Sequence, residues 1–296
     1  GCETIHGWLD MLSAVTELDP ITSSGTTGTM SFTPKDRSDW RTFILGGFRV
    51  QLLQTFGKPP TDADLNDKLH VCWPTHADGH TAFYRSPMYY KQYFAKGSDA
   101  HFHPMMNTPG DTDLMYLAAR LRAAQARGDS RVNVPERLLA RRDELVAEEK
   151  ARPARAKAWI EELVEKLNGE RVFILAPAQL IYDVAKPALA EGKKCNFAAN
   201  SCVTAGAGGK GFNMPDDWEQ VVDDFLNFGH HYGYFYSFSE QCGLHVQCEH
   251  GRLHLSPWSI PLILDPQTSE LLPREGRHKG RAAFFDLAMN GAWGGL

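Results

Sequence analysis

Apolar residues recur at helical spacing in two segments near the start of the chain. Between residues 36 and 56, Trp40, Ile44 and Phe48 each stand one helical turn from the next, which predicts a helix with one buried face. A shorter helix is predicted around Trp8–Val15. Both helices would need a larger core against which to bury these faces.

The middle of the chain has a helical composition. Residues 113–168 are rich in Ala, Arg, Glu and Leu, which are good helix formers. Pro135 and Pro153 stand where helices often begin, because proline is favoured in the first turn. This pattern predicts a helical insertion with three helices, at about 113–127, 135–150 and 153–167. Residues 57–113 mix Pro, Gly, His and aromatic residues without a clear period and predict no defined element.

After residue 168, short apolar runs alternate with helical segments. Three strands are predicted, at 171–176, 196–204 and 231–236. Two helices are predicted between them, at 177–191 and 215–228. Such alternation favours an α/β fold in which a mainly parallel sheet is flanked by helices. Short strands separated by Pro and Gly then indicate a small β-rich layer, at 253–255, 260–264 and 282–287. We therefore predict an α/β core over residues 1–240 and a β-rich portion of the same core over 241–296.

The composition excludes several classes of protein. The chain has 296 residues, 43% of them hydrophobic, so it can bury a large core. Its net charge of −5 argues against a nucleic-acid partner, which would need a basic face. No apolar run approaches the ~20 residues that span a bilayer, and the first residues lack the pattern of a signal peptide. The few, widely spaced cysteines fit reduced thiols and predict a cytoplasmic protein.

A run of hydroxyl residues and glycines follows the first predicted helix. It contains Ser23-Ser24-Gly25-Thr26-Thr27-Gly28. Glycine lets the main chain approach a phosphate closely, and Ser and Thr add hydroxyl donors. The run is not a Walker loop, because no Gly-Lys-Ser/Thr follows. On composition alone, a phosphate-binding loop and a flexible surface turn both stay open.

A second glycine run follows the strand predicted at 196–204. It reads Gly206-Ala207-Gly208-Gly209-Lys210-Gly211. The spacing Gly-x-Gly-x-x-Gly matches the dinucleotide fingerprint, so an NAD(P)-dependent oxidoreductase is a competing interpretation. Two features argue against it: the next helix is predicted only from Pro215, and the acids about 20 residues on, Asp223 and Asp224, fall inside that helix. A purely structural turn is a third interpretation.

The order of three segments resembles the adenylate-forming superfamily of acyl-CoA ligases, luciferases and peptide-synthetase adenylation domains. Its members carry a Ser/Thr/Gly string ending in Gly-Thr-Thr-Gly, then a strand with a glycine-rich turn, then Tyr-Gly-x-(Ser/Thr)-Glu. Here the third segment is Tyr236-Ser237-Phe238-Ser239-Glu240. The chain is most similar to the phenylacetate–CoA ligase and acyl-protein synthetase branches. It departs from the pattern at Thr29-Met30, where Lys-Pro is common, and at Ser237, where Gly is usual; Lys35 could supply the missing charge.

The resemblance implies an ATP- and Mg²⁺-dependent enzyme that activates a carboxylic acid as an acyl-AMP, releases pyrophosphate and passes the acyl group to coenzyme A or a carrier-protein thiol. It implies roles for four groups of residues. The β- and γ-phosphates would be held by Ser23, Ser24, Gly25, Thr26, Thr27 and Gly28. Adenine would be framed by Gly206, Ala207, Gly208, Gly209 and Tyr236, with the Ser239 hydroxyl near the α-phosphate. Glu240 would bind Mg²⁺, and Thr26, Thr27 and Glu240 would act in catalysis.

The last residues, 280–296, resemble the stretch before the superfamily's Thr-Gly-Asp, which this sequence does not reach. The resemblance therefore implies a large N-terminal adenylation core in which the mobile C-terminal subdomain is absent. A non-catalytic nucleotide-binding module stays open beside the enzyme interpretations.

Cysteine and histidine crowd into one short segment, and both are preferred zinc ligands. They are Cys242, His245, Cys248, His250 and His254. Cys248 and His254 best match a Cys and Gly-x-His of some phenylacetate–CoA ligase relatives, so a structural Zn²⁺ and a metal-free segment both stay open. His76, His80, His101 and His103 form a second group whose spacing also resembles that of metal ligands. An irregular loop is the favoured interpretation, and a metal site and a lining of the acyl pocket both stay open.

Overall fold

The computed structural model describes residues 2–25, 30–206, 214–228 and 233–290. The helices within these ranges are α1 (Ile5–Val15), α2 (Arg37–Phe56), α3 (Asp62–Asn66), α4 (Ala82–Tyr93), α5 (Thr112–Arg127), α6 (Glu136–Leu139), α7 (Arg142–Lys166), α8 (Ala178–Ala190) and α9 (Trp218–Leu226). The strands are β1 (Ile21–Thr22), β2 (Phe32–Thr33), β3 (His70–Asp78), β4 (Phe102–Pro109), β5 (Val172–Pro177), β6 (Cys202–Gly206), β7 (Gly233–Tyr236), β8 (His245–Gln247), β9 (Leu253–His254), β10 (Ser259–Leu264) and β11 (Arg281–Asp286).

A seven-stranded sheet forms the centre of the molecule, with strand order β4-β3-β5-β6-β7-β8-β9. Neighbouring strands from β4 to β7 run parallel, and β8 and β9 continue the sheet antiparallel. Two small antiparallel pairs, β1–β2 and β10–β11, lie outside it. The predicted α/β class, with a parallel sheet flanked by helices, is confirmed.

Alternate residues of β5 supply the two hydrophobic layers that cover the sheet. Val172 and Ile174 face a cluster that also includes Trp159 of α7 and Phe225 of α9. Phe173 faces the other cluster, which is built on α2 and α4. Side chains alternate in direction along a strand, so a strand buried on both faces appears as a continuous apolar run. This explains why β5 was readable from sequence.

Residues 57–113, for which no element was predicted, contain β3, α4 and β4 and therefore extend the sheet by two strands. These elements lack the usual sequence signals. Polar residues such as His76 and Asp78 stand at the end of β3, and Pro87 lies inside α4. Trp73 and Tyr90 nevertheless pack in the core. Tertiary packing therefore overrides weak local propensity here.

The prediction of three helices between 113 and 167 is partly wrong. The first helix is confirmed as α5. Pro135 precedes only the short helix α6, and Pro153 lies inside the single long helix α7. Proline disfavours a helix interior through a lost N–H and a steric clash. In α7 the residues after Pro153 bury Trp159, Ile160 and Leu163 against the sheet, and this packing stabilises a continuous helix.

The boundary predicted at residue 240 stays a prediction. The structure places β8 and β9 in the same sheet as β5–β7, whereas β10 and β11 form a separate pair. No helix in the described ranges is both long and apolar enough to cross a membrane.

Candidate functional site

The strands β3, β5, β6 and β7 end at one edge of the sheet, after Asp78, Pro177, Gly206 and Tyr236. Ligands of open parallel sheets bind outside the carboxyl ends of the strands. Gly206 pairs with Phe235, the residue before Tyr236. The structure therefore brings the start of the second glycine run beside Tyr236, and their role in binding adenine stays a prediction. Ala207, Gly208 and Gly209 lie outside the described residues.

The first glycine run begins at this same edge. The main-chain N–H of Thr22 donates to the His80 carbonyl at 2.6 Å, just beyond the end of β3. Ser23, where the run begins, is joined to Ser31 by two hydrogen bonds, from the Ser23 N–H to the Ser31 carbonyl (2.9 Å) and from the Ser31 N–H to the Ser23 hydroxyl (3.0 Å). These bonds continue the pairing of β1 with β2 toward the run. Thr26, Thr27 and Gly28 lie outside the described residues.

Gly25 occupies a position that only glycine fits well. Its φ is +59°, in the left-handed region that side chains disfavour. A Cβ there would stand 2.8 Å from the Cβ of Ala119 on α5. Conformation and packing therefore both require glycine, whether or not the loop binds phosphate.

Glu240 lies against this loop. The Ser31 hydroxyl donates to the Glu240 carboxylate at 2.6 Å. The proposed magnesium ligand is therefore in contact with Ser31, three residues beyond the proposed phosphate loop at 23–28. A carboxylate beside a hydroxyl offers the hard oxygen ligands that Mg²⁺ prefers, so the residues present fit this ion.

Lys35 takes a position different from that of a phosphate ligand. Its ammonium group is buried and donates to the Gln241 carbonyl at 2.7 Å, with the Cys242 sulfur at 3.8 Å. The suggestion that Lys35 replaces the missing lysine of the loop is not supported by this geometry. Instead, Lys35 binds the chain next to Glu240. Ser31 and Lys35 together connect the exit of the loop to residues 240–242.

The side chain of Tyr236 is half-exposed at the sheet edge. Its ring stands 6.3 Å from that of His245 and 6.2 Å from that of Phe284 on β11. The Ser237 hydroxyl donates to the Gly243 carbonyl at 2.9 Å, which holds the turn after β7. Ser237 at the usual glycine position is therefore accommodated. Ser239 is partly buried next to Glu240.

Several solved structures are partly similar to this chain. Two are ATP-bound RpMatB–BxBclM chimeras: B1 has a TM-score of 0.45 and 11% identity over 91% of this chain and 39% of its own. B3 has a TM-score of 0.46 and 10% identity over 91% and 39%. A long-chain-fatty-acid–CoA ligase (FadD1) from Archaeoglobus fulgidus has a TM-score of 0.44 and 9% identity over 90% and 41%. The chain thus spans about two fifths of the length of these proteins. No protein-family model and no curated protein matches the sequence.

The cysteines and histidines of 242–254 separate into two environments. Cys242 is buried beside Lys35, and burial raises the pKa of its thiol to about 12. His245 is buried, and its Nδ1 accepts the Ser256 N–H at 3.1 Å. Cys248 lies at the surface, where a hydrogen bond from the Arg252 main chain, followed by one from the His254 side chain, lowers the pKa of its thiol. Of the predicted zinc ligands, Cys248 and His254 are therefore in contact with each other, whereas Cys242 and His245 have other partners. Zn²⁺ at Cys248 and His254 stays a prediction.

The second histidine group is divided between opposite edges of the sheet. His76 and His80 lie at the carboxyl edge, whereas His101 and His103 lie at the amino edge. There, His70 Nδ1 is 2.8 Å from His103 Nε2, and the His101 ring stacks on that of His70. His101 and His103 therefore lie at the sheet edge opposite Gly206 and Tyr236, and the suggestion that they line the acyl pocket is not supported.

Ser31 and a buried polar network behind the loop were missed by sequence reasoning. His80 is 2% exposed and Arg85 is 7% exposed. Their contacts extend to Asp10, Asp19 and Asp78. A His and an Arg five residues apart carry no motif, and only the charge-rich sequence around a glycine could have drawn attention to them.

Proposed function

We propose that this chain is the ATP-binding core of an adenylate-forming enzyme related to the phenylacetate–CoA ligase and acyl-protein synthetase branches. It would convert a carboxylic acid to an acyl-adenylate with release of pyrophosphate, then pass the acyl group to the thiol of coenzyme A or a carrier protein. A cytoplasmic setting is proposed with it, since ATP and reduced thiols are available there.

The contact between Ser31 and Glu240 carries this proposal. A phosphate-binding loop and a metal-binding carboxylate must lie within one ion's reach to act on the same triphosphate. Ser31 lies three residues after Gly28, so this contact sets the predicted metal ligand beside the exit of the predicted phosphate loop.

Each group would have a defined task. The loop at 23–28 would donate N–H and hydroxyl hydrogen bonds to the β- and γ-phosphates. Gly206–Gly209 and Tyr236 would hold adenine at the ends of β6 and β7. Glu240 would hold Mg²⁺, which when bound neutralises negative charge on the phosphates. Attack of the acid on the α-phosphate needs no covalent protein nucleophile, because positioning and electrostatic stabilisation account for such transfers.

The oxidoreductase alternative is less well supported. The dinucleotide fingerprint needs a helix that begins at its third glycine, so that the helix N-terminus faces the pyrophosphate. Here α9 begins at Trp218, well after Gly211, and Asp224 lies inside it. The non-catalytic module differs from the enzyme in activity alone, so only an assay separates them.

Acid-dependent ATP–pyrophosphate exchange tests the proposal. Exchange should appear with at least one member of a panel of aliphatic and aryl acids and should require Mg²⁺. ATP binding without exchange for any acid would favour the non-catalytic module. Fluorescence quenching by NAD(P)H but not by ATP would favour the oxidoreductase. Product analysis with coenzyme A and with a phosphopantetheinylated carrier protein then identifies the acceptor.

A further inference from the structure

A group of three side chains, His6, Asp10 and His80, stands behind the glycine loop with ligand atoms close enough to hold a metal ion. Asp10 Oδ1 is 2.8 Å from His80 Nε2, and Asp10 Oδ2 is 3.5 Å from His6 Nε2. Histidine and carboxylate groups are common metal ligands, so a metal site is the first interpretation to test.

The partner of the second His80 nitrogen argues against metal. Arg85 Nη2 lies 3.0 Å from His80 Nδ1. A guanidinium group only donates, so Nδ1 must accept and the ring proton must lie on Nε2, directed at Asp10. A histidine that binds metal through Nε2 instead needs its other nitrogen to donate to an acceptor. The arrangement is therefore a hydrogen-bond chain from Arg85 through His80 to Asp10.

Carboxylates hold the Arg85 end of this hydrogen-bond chain. Arg85 Nη1 contacts Asp78 at 2.9 Å, and Arg85 Nε is 3.2 Å from Asp19. Asp19 also accepts the Tyr89 hydroxyl at 2.6 Å. Two carboxylates thus fix the buried guanidinium, and through it they fix the imidazole ring.

The His80 main chain touches the loop. Its carbonyl accepts the Thr22 N–H at 2.6 Å and the Thr22 hydroxyl at 3.3 Å. The carbonyl precedes Thr81, the N-cap of α4, so the cap and the ring contacts of His80 together set how this carbonyl points. Ser23, the first residue of the phosphate loop, follows Thr22 directly.

We propose that His80 is a positioning residue: its ring, held between Asp10 and Arg85, orients the carbonyl that fixes Thr22 and with it the entry of the 23–31 loop. The proposal rests on the proposed function in that the loop is taken to bind ATP phosphates. His80 itself does not touch nucleotide. Ser31 and Glu240 hold the exit of the loop, and His80 holds its entry.

Two variants separate this role from a merely structural one. His80→Gln replaces the rigid ring with a flexible amide, which loosens the link between Asp10 and Arg85 while keeping a neutral polar side chain. Asp10→Ala changes a side chain that is 59% exposed and lies on helix α1, so it should fold. The matched control is Glu17→Ala, which removes the same charge from a side chain that is 93% exposed and pairs only loosely with Arg37.

Amide hydrogen exchange over residues 21–25 and calorimetric titration of ATP and AMP are measured on all four proteins. We expect Thr22 exchange to rise about tenfold in His80→Gln and about threefold in Asp10→Ala, with ATP affinity reduced by similar factors. AMP affinity should change less than twofold, and Glu17→Ala should match wild type.

Unchanged exchange over 21–25 in folded variants would overturn the proposal, and so would faster exchange without loss of ATP affinity. A rise in melting temperature with Co²⁺ or Zn²⁺ that Asp10→Ala abolishes would establish the metal site instead. If wild type binds no ATP, the proposed function fails, while the exchange data still decide whether His80 positions the loop.

Discussion

The Ser31 hydroxyl donates to the Glu240 carboxylate at 2.6 Å, although 209 residues separate them in sequence. Four residues further on, Lys35 reaches the carbonyl of Gln241, the residue after Glu240. One short segment of chain therefore carries two contacts to the same part of the site. Loss of each contact should have a different effect on exchange and nucleotide binding.

Glu240→Gln should lower acid-dependent pyrophosphate exchange about 30- to 160-fold, because the loss of one charged ligand removes roughly 2–3 kcal/mol. The fold should survive, since glutamine can still accept from Ser31. Radiolabelled exchange at several Mg²⁺ concentrations measures the effect. Ser31→Ala serves as the comparison and should lose about tenfold or less. Wild-type exchange in Glu240→Gln would remove Glu240 from the metal site.

Lys35→Met should lower exchange about tenfold, with ATP affinity reduced only when Mg²⁺ is present and AMP affinity nearly unchanged, because Glu240 is displaced. Lys35 holds Gln241 and does not reach the nucleotide, so its loss should displace Glu240 without removing a phosphate contact. Calorimetric titration with both nucleotides tests this prediction, with urea denaturation as the folding control. A loss of ATP affinity that persists without Mg²⁺ would show instead that Lys35 moves to the phosphates when ATP binds.

Gly25→Val should weaken ATP binding about 100-fold or more while AMP binding changes little, because AMP lacks the phosphates that the loop is proposed to hold. Part of any effect will be structural, since Gly25 has a positive φ and packs on Ala119. Gly57→Val is the matched control, because Gly57 has φ +64° and open space around it. Equal losses for ATP and AMP in Gly25→Val, beyond those in the control, would place the triphosphate elsewhere.

Folding stability should fall as the pH is lowered from about 6.5 to about 4. Burial, followed by the neighbouring His70, lowers the pKa of His103 to about 4. Burial also lowers the pKa of His70. The unfolded chain then binds protons before the folded one does, so the stabilisation is complete above the unfolded pKa and is lost as the pH falls to the folded value.

In His103→Gln, the free energy of unfolding should fall by on the order of 1–2 kcal/mol less than in wild type between pH 7 and pH 4.5. Urea denaturation of both proteins at the two pH values measures it. His278→Gln, at an exposed histidine, is the control. An equal slope in wild type and His103→Gln would show that another group is responsible.

The elements that the sequence predicted are those whose pattern reflects burial directly. The continuous apolar run of β5 and the helical spacing of α2 both survive in the structure. The strands β3 and β4 were not predicted, because polar residues interrupt their apolar pattern. His76 and Asp78, for example, stand at the end of β3. The break at Pro153 was predicted wrongly, because burial of Trp159 and its neighbours outweighs the local effect of proline.

The candidate site was predictable only as a list of residues. Glycine and hydroxyl content marked the loop, and order along the chain marked Tyr236 and Glu240. Contacts made by Ser31, Lys35 and His80 had no sequence signal, since a serine, a lysine and a histidine have many ordinary surroundings. Their roles depend on which distant segment lies beside them.

The two contacts at Ser31 and Lys35 also bear on how the molecule folds. Both join the first part of the chain to residues 240–241, with sequence separations of 209 and 206 residues. Contacts of such long range are slow to form, because the intervening chain must be ordered first. During synthesis, the first loop would leave the ribosome long before Glu240 exists. We expect nucleotide protection against proteolysis to appear only in nascent chains that extend past Gln241.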